Sequence, residues 1–168
     1  MALFQIKNMY PYLKNPQKYL SENKQITARS GWEISMICDF LDKHSSVLAW
    51  NSESVIIPYQ CPVRAMSWHR YFMDFWMQVL EVDGAKKEYL IEVKPFIETQ
   101  KPSIPKKRNK SYITRCETYM KNQAKWAATR AYTTQQRKLG RNIEFVIMTE
   151  KGIINENGKL DPIVFFKV

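Results

Sequence analysis

The sequence predicts an α/β fold: a helix, three antiparallel strands, a second helix, and a fourth strand parallel to the third. Three observations lead there. Apolar residues recur at helical spacing in two segments, around 30–44 and 111–139. Between those segments lie short runs rich in β-branched and aromatic residues, divided by proline and Asp-Gly turn signals. A helical crossover then carries the chain from one strand into a neighbour of the same direction. The result is an αβββαβ core with a mixed central sheet flanked by helices, an N-terminal arm and a C-terminal extension.

Residues 1–28 read as the arm, with turns at Pro11 and Asn15-Pro16, and residues 29–168 as one domain. The first helix starts at Ser30, because Ser30-Gly31-Trp32-Glu33 has capping-box spacing. Its buried stripe is Met36, Ile37, Phe40 and Leu41, and it ends near His44. Glu53 to Tyr59 reads as a short strand halted by Pro58 and Cys61-Pro62. His69 to Glu81 reads as one long strand and Glu88 to Lys94 as the next, joined by a turn at Asp83-Gly84. A loop rich in proline and lysine leads to a helix over 111–139, closed by Gly140. Ile143 to Thr149 is the fourth strand, and the extension adds a hairpin at Asn157-Gly158 and a last strand over Ile163 to Phe166.

A chain of 168 residues with 45% hydrophobic content supports one good core and is not disordered. No run nears the roughly 20 apolar residues that span a bilayer, and Met1 to Lys7 lacks the long apolar region of a secretory signal. The expectation is therefore no membrane. Cys38, Cys61 and Cys116 show neither zinc spacing nor a disulfide framework, which suits a reducing compartment. Two histidines argue against a histidine-rich metal site or a histidine-based triad. Lysine and arginine number 26 against 16 acids, a net charge of +10. Lys101, Lys106, Lys107, Arg108 and Lys110 crowd around Pro102 and Pro105, and Glu117 is the sole acid between Lys101 and Arg141. A solvated loop and a plain charged helix face is one interpretation. The other is a phosphate-binding track, since cations that crowd this way repel each other until a polyanion neutralises them.

The chemistry concentrates in Asp74 and in Glu92-Val93-Lys94, which end neighbouring strands. Side chains two apart in a strand share a face, so Glu92 and Lys94 project together while Val93 anchors the other side. Two carboxylates and a lysine so placed can hold a hard divalent cation beside a phosphodiester; an exposed salt-bridging pair is the alternative. Hairpin register decides between them. A two-residue turn pairs Val82 with Ala85 and sets Asp74 and Glu92 on opposite faces. A three-residue loop or glycine bulge pairs Glu81 with Ala85 and sets them directly across from each other, and this second geometry is the expected one. Glu33 either completes the capping box or turns inward to join the cation. Gln123 lies in a stripe of Tyr112, Cys116, Tyr119, Ala127 and Ala131, with Met120 and Ala124 beside it, as a core residue or a site group. Lys125 is placed on the rim.

Glu33, Asp74 and Glu92-x-Lys94 on this element order resemble the PD-(D/E)XK nuclease superfamily, with its restriction-endonuclease-like fold and its TnsA-like members. Longer strings are similar to the head-completion nuclease family of T-even-type bacteriophages: Asn15 to Tyr19, Arg29 to Glu33, Val55 to Tyr59, His69 to Phe75, Tyr89 to Pro95 and Asn122 to Trp126. Met73 departs from the superfamily, standing where many members have proline. The resemblance implies an endodeoxyribonuclease with little sequence preference, acting after DNA packaging in phage head completion. It implies Mg²⁺, with Mn²⁺ as a substitute, held by Asp74, Glu92, the Val93 carbonyl and Glu33, and Glu33, Asp74, Glu92, Lys94 and Gln123 as catalytic residues. Lys101, Lys106, Lys107, Arg108, Lys110 and Lys125 would hold the DNA backbone. Portal or head-tail connector proteins are the expected partners, the host cytoplasm during assembly or the virion head the expected location, and a dimer stays open. A nucleolytically silent DNA-end binder and a basic RNA-binding module are the competing functions.

Overall fold

The computed structural model describes residues 6–107 and 109–162. Two single turns, Tyr10–Tyr12 and Pro16–Lys18, precede helix α1 (Gly31–Ser35), which runs on as a wider π-type helix over Met36–Leu41. The strands are β1 (Val47–Ser52), β2 (Ile56–Cys61), β3 (Ser67–Phe72), β4 (Phe75–Leu80) and β5 (Lys86–Val93). A short α2 (Phe96–Thr99) and the long α3 (Lys110–Lys138) follow, then β6 (Ile143–Thr149), β7 (Gly152–Ile154) and β8 (Leu160–Asp161). Six strands form one sheet in the order β1-β4-β5-β6-β7-β8, and β2 and β3 form a separate hairpin. Pairing is antiparallel throughout the large sheet except for β5 with β6. The αβββαβ order is thus α1, β1, β4, β5, α3 and β6, a restriction-endonuclease-like arrangement with the β2-β3 hairpin inserted. Among the described residues no helix is long and apolar enough to cross a membrane.

Two parts of the expected meander are corrected. The single strand over 69–81 breaks at Met73-Asp74, so β3 leaves for the hairpin with β2 while β4 joins the main sheet. The first meander strand is β1, to which the sequence assigned no element: its burial does not alternate, and a bulge between Val47 and Ala49 upsets its period. Pro58 does not halt β2 but lies within it, tolerated because a two-stranded hairpin is all edge. The last strand expected over Ile163 to Phe166 lies outside the described residues.

Each face of the sheet has its own core. On one, Met36, Ile37 and Leu41 pack over Phe75, Met77, Val79, Ile91 and Val93. Residues of the expected arm join them: Met9, Tyr19, Ile26 and Ala28 are buried there. Buried Asp42 ties the arm down by accepting the Lys14 and Asn15 N–H groups at 2.7 and 2.8 Å. On the other face, Trp126 of α3 packs with Tyr59 and Tyr71 of the hairpin and with Leu90, Phe145 and Ile147. The buried line of α3 is Asn122, Trp126, Thr129 and Thr133, so the expected stripe is rotated; Met120, Ala127 and Ala131 face outward. The polar Asn122, Thr129 and Thr133 mislead a hydrophobic count, although Thr129 and Thr133 satisfy their hydroxyls on backbone carbonyls one turn back. Asn109 caps α3 by accepting the Tyr112 N–H, and Gly140 closes it at φ +88°.

The β4-β5 hairpin has the odd loop that the site requires. Glu81 N–H donates to the Ala85 carbonyl at 2.8 Å and Gly84 N–H to the Glu81 carbonyl at 3.0 Å, leaving Val82-Asp83-Gly84 as a three-residue loop. Gly84 sits at φ +83°, a conformation costly for residues with a Cβ. Phe75 then pairs with Ile91, and one step further the register sets Asp74 against Glu92. A Gly84→Ala substitution is expected to lower stability by about 1 kcal/mol, a fall in Tm of about 2–4 °C for a domain of this size, measurable by thermal unfolding monitored by circular dichroism.

Candidate active site

Strand parity brings the site together. Leu90 and Glu92 of β5 face α3, while Ile91 and Val93 face α1. Glu92 is only 1% exposed, and a buried carboxylate needs partners for both oxygens. It has them: the Tyr71 hydroxyl donates to Oε2, and the Lys94 ammonium lies 3.2 Å from Oε1. Asp74, at the break before β4, accepts the Val93 N–H on Oδ2 at 2.8 Å. The Lys94 N–H continues the ladder to the Met148 carbonyl at 3.0 Å, fixing the end of β5 against β6.

Met73 explains its own departure from proline. Its side chain is fully buried, and its N–H donates to the Val55 carbonyl at 3.0 Å, a bond proline could not make. The next residues cross to the main sheet, where the Asp74 carbonyl accepts the Glu53 N–H at 3.2 Å.

The electrostatics are those of a crowded acid pair. Burial, and then the charge of Glu92, push the Asp74 pKa well above the ordinary aspartate value, with Lys94 and the Val93 N–H pulling it back and Glu33 adding a little. Burial works against the Lys94 ammonium, yet Glu92 and Asp74 hold its pKa above the ordinary lysine value, so it stays charged. Burial and the neighbouring Glu92 and Asp74 likewise raise Tyr71, which stays a hydrogen-bond donor.

The other expected site residues fall less evenly. The Glu33 carboxylate is spent on the cap: it accepts from the Ser30 hydroxyl and the Arg29 N–H, both at 3.0 Å, while Ser30 accepts the Glu33 N–H. Among the described residues no three acidic, histidine or cysteine side chains group closely enough to hold a metal. Glu33 also lines a neighbouring cleft of about 530 Å³ together with Trp32, Lys94 and Glu98. Gln123 is half-buried beside the inner line of α3 and makes no hydrogen bond to the acids among the described residues. Lys125, expected on the rim, comes closer. Its ammonium stands 4.9 Å from the Tyr71 ring centre and 6.0 Å from that of Tyr59. Lys101, Lys106, Lys107 and Lys110 are exposed around the loop before α3; Arg108 lies outside the described residues.

Sequence reasoning missed Tyr71, Arg29 and Glu53. Tyr71 alternates correctly in its strand, but only the break at Met73-Asp74 turns its hydroxyl onto Glu92. Arg29 pairs with Glu53 and feels the fields of Glu33 and Asp74; nothing in residue spacing links those segments.

This geometry, an acid at a strand break facing Glu-x-Lys on a central strand, is that of a PD-(D/E)XK nuclease. The chain matches the family described as TnsA-like endonuclease N terminal over residues 44–150, and it belongs to that family. It is also 37% identical over 144 residues to the head completion nuclease of Enterobacteria phage T4, covering 83% of this chain and 89% of that one. No solved structure matches.

The raised Asp74 pKa has a definite sign in stability. The folded protein binds that proton more tightly than the unfolded chain, so stability falls as pH climbs from the ordinary aspartate value through the raised one. In metal-free protein at pH 7, Asp74→Asn keeps an acceptor for the Val93 N–H and removes a crowded charge. It is expected to raise Tm by about 2–4 °C, equivalent to about 1 kcal/mol. The gain should vanish as the pH is lowered into the ordinary aspartate range, in a Tm series measured with chelator present.

Proposed function

We propose that the protein is a Mg²⁺-dependent DNA endonuclease of little sequence preference that acts in phage head completion, in the host cytoplasm at the newly filled head. The observation that carries this reading is the register that faces Asp74 with Glu92 while Lys94 stays bonded to Glu92, within a chain of the TnsA-like endonuclease family. The relative named head completion nuclease supports the biological setting, in which portal or head-tail connector proteins are the partners at hand.

The donor set fits a hard cation. Asp74, Glu92 and the Val93 carbonyl offer only oxygen, and Mg²⁺ keeps several of its waters and needs few protein ligands. The proton affinity that Glu92 and burial impose on Asp74 is the signature of a like-charged pair that a cation relieves. A bound Mg²⁺, or Mn²⁺ in its place, supplies Lewis acidity at the scissile phosphate and eases deprotonation of the attacking water. Lys94 orients that water and offsets the charge that builds on the phosphate oxygens. Tyr71 holds Glu92 in one rotamer, and Lys125 adds positive potential above the Tyr71 ring. Glu33 stabilises the start of α1, adds negative field, and would join the cation directly or through water. The lysines at 101, 106, 107 and 110 grip phosphates, and such contacts position DNA without reading its sequence.

Plasmid nicking tests this directly. With Mg²⁺ the wild type is expected to convert supercoiled plasmid to nicked and linear forms. Chelator should stop the reaction, and Glu92→Gln should slow it by about 10²–10³-fold, the scale seen when a charge-stabilising group is lost. Equal cutting by the variant overturns the assigned site, and duplex binding without any cutting supports a DNA-end binder in its place. Replacing Lys106, Lys107 and Lys110 together with alanine should reduce the slope of log K against log salt concentration by about 3, one unit per phosphate contact, in fluorescence anisotropy titrations with short duplexes.

A further inference from the structure

Beside the cleft that Lys94 and Glu33 line is a second one, of about 440 Å³, between the 97–103 segment and the first half of α3. Its lining mixes Ile97, Pro102 and Tyr119 with Lys101 and Arg115. Glu98 borders both clefts, so the two adjoin. Lys101 and Arg115 form no salt bridge among the described residues, leaving their charge for an anion. The apolar part is unusually bare: Ile97, on α2, is 74% exposed.

Duplex DNA accounts for half of this surface. Its backbone would neutralise Lys101 and Arg115, yet a stacked, paired base shows only its edges and leaves Ile97 and Tyr119 in water. An unpaired base offers both things at once, a π-face for the apolar and aromatic side chains and a phosphate on each side for the cations. We propose that this cleft seats an unpaired nucleotide next to the phosphodiester to be cut, so that flapped or frayed DNA is the preferred substrate. This rests on the nuclease reading above and gives it a substrate class.

Binding with chelator present, so that no strand is cut, separates the possibilities. The probes are a full duplex and a duplex with a short single-stranded flap, each carrying 2-aminopurine at the junction. The wild type is expected to bind the flap about tenfold more tightly, which is about 1.4 kcal/mol and within the range of stacking one base, and to quench its 2-aminopurine fluorescence. Tyr119→Ala should abolish both effects. Ile97→Ser, at a position too exposed to affect folding, should weaken both. Equal affinity for the two DNAs, or a preference that survives both substitutions, overturns the proposal. So does a dimer in light scattering that Ile97→Ser dissolves, because a second copy of the chain then fills the cleft. Plasmid nicking on the same preparations tests the nuclease reading separately: cutting without flap preference removes only this inference.

Discussion

The site depends on the length of one loop. Side chains alternate along a strand, so the residue count between β4 and β5 fixes whether Asp74 and Glu92 share a face or are divided by the sheet. Val82-Asp83-Gly84 makes the count odd, and Gly84 makes the odd loop affordable by taking the left-handed conformation. Register is then locked from the far side as well. Phe75, Met77 and Val79 are buried in the α1-side core, and a one-residue slip would send all three to the opposite face. The hydrophobic pattern that holds the fold together thus also holds two carboxylates together against their mutual repulsion.

That repulsion is contained by a division of labour. Glu92 is the deeper acid, and each of its oxygens has a dedicated donor, Tyr71 from the inserted hairpin and Lys94 from just past the end of β5. Asp74 sits where the chain crosses between sheets and accepts one N–H. The pair therefore combines a fixed member with a less committed one. Without the β2-β3 hairpin, Glu92 would lose the Tyr71 hydroxyl and face α3 with one oxygen unpaired, a cost of about 1–3 kcal/mol or more for a charged group. The hairpin belongs to the site and is not a decoration of the sheet.

Much of this was legible in the sequence, and the failures have physical causes. The capping box at Ser30, the glycine-closed α3, β5 with its Glu-x-Lys and the parallel β6 rest on local signals, namely a cap, a terminating glycine, an apolar run and the handedness of a crossover. The register of the β4-β5 hairpin followed from parity once Asp74 and Glu92 were required to meet. What was hidden is non-local. β1 has a bulge and no clean period, so only its pairing with β4 identifies it. The break at Met73-Asp74 leaves no proline or glycine behind, because the Val55 carbonyl does the work of turning the chain. The inner line of α3 includes asparagine and two threonines, which a polarity scale assigns to solvent. Glu33 was ambiguous for a real reason: a carboxylate at the third helical position can reach back to the cap or inward to the sheet, and here the cap takes it.

Charge is sorted along the molecule in a way that net charge alone does not convey. The acids near the end of α3 are matched: Glu156 pairs with Arg137, Glu88 with Arg141, and Glu144 with Lys87. Among the described residues, the cations from Lys101 to Arg130 form no salt bridge at all. Unmatched cations thus run from the loop before α3 along the first two thirds of that helix, while Glu92 is withdrawn from the surface. For the proposed DNA substrate these cations would supply attraction at long range, and at the site Lys94 stands beside Glu92 while Lys125 lies over the Tyr71 ring. In the proposed nuclease, burial of Glu92 would keep negative charge away from an approaching phosphate backbone, and the unmatched lysines would attract that backbone.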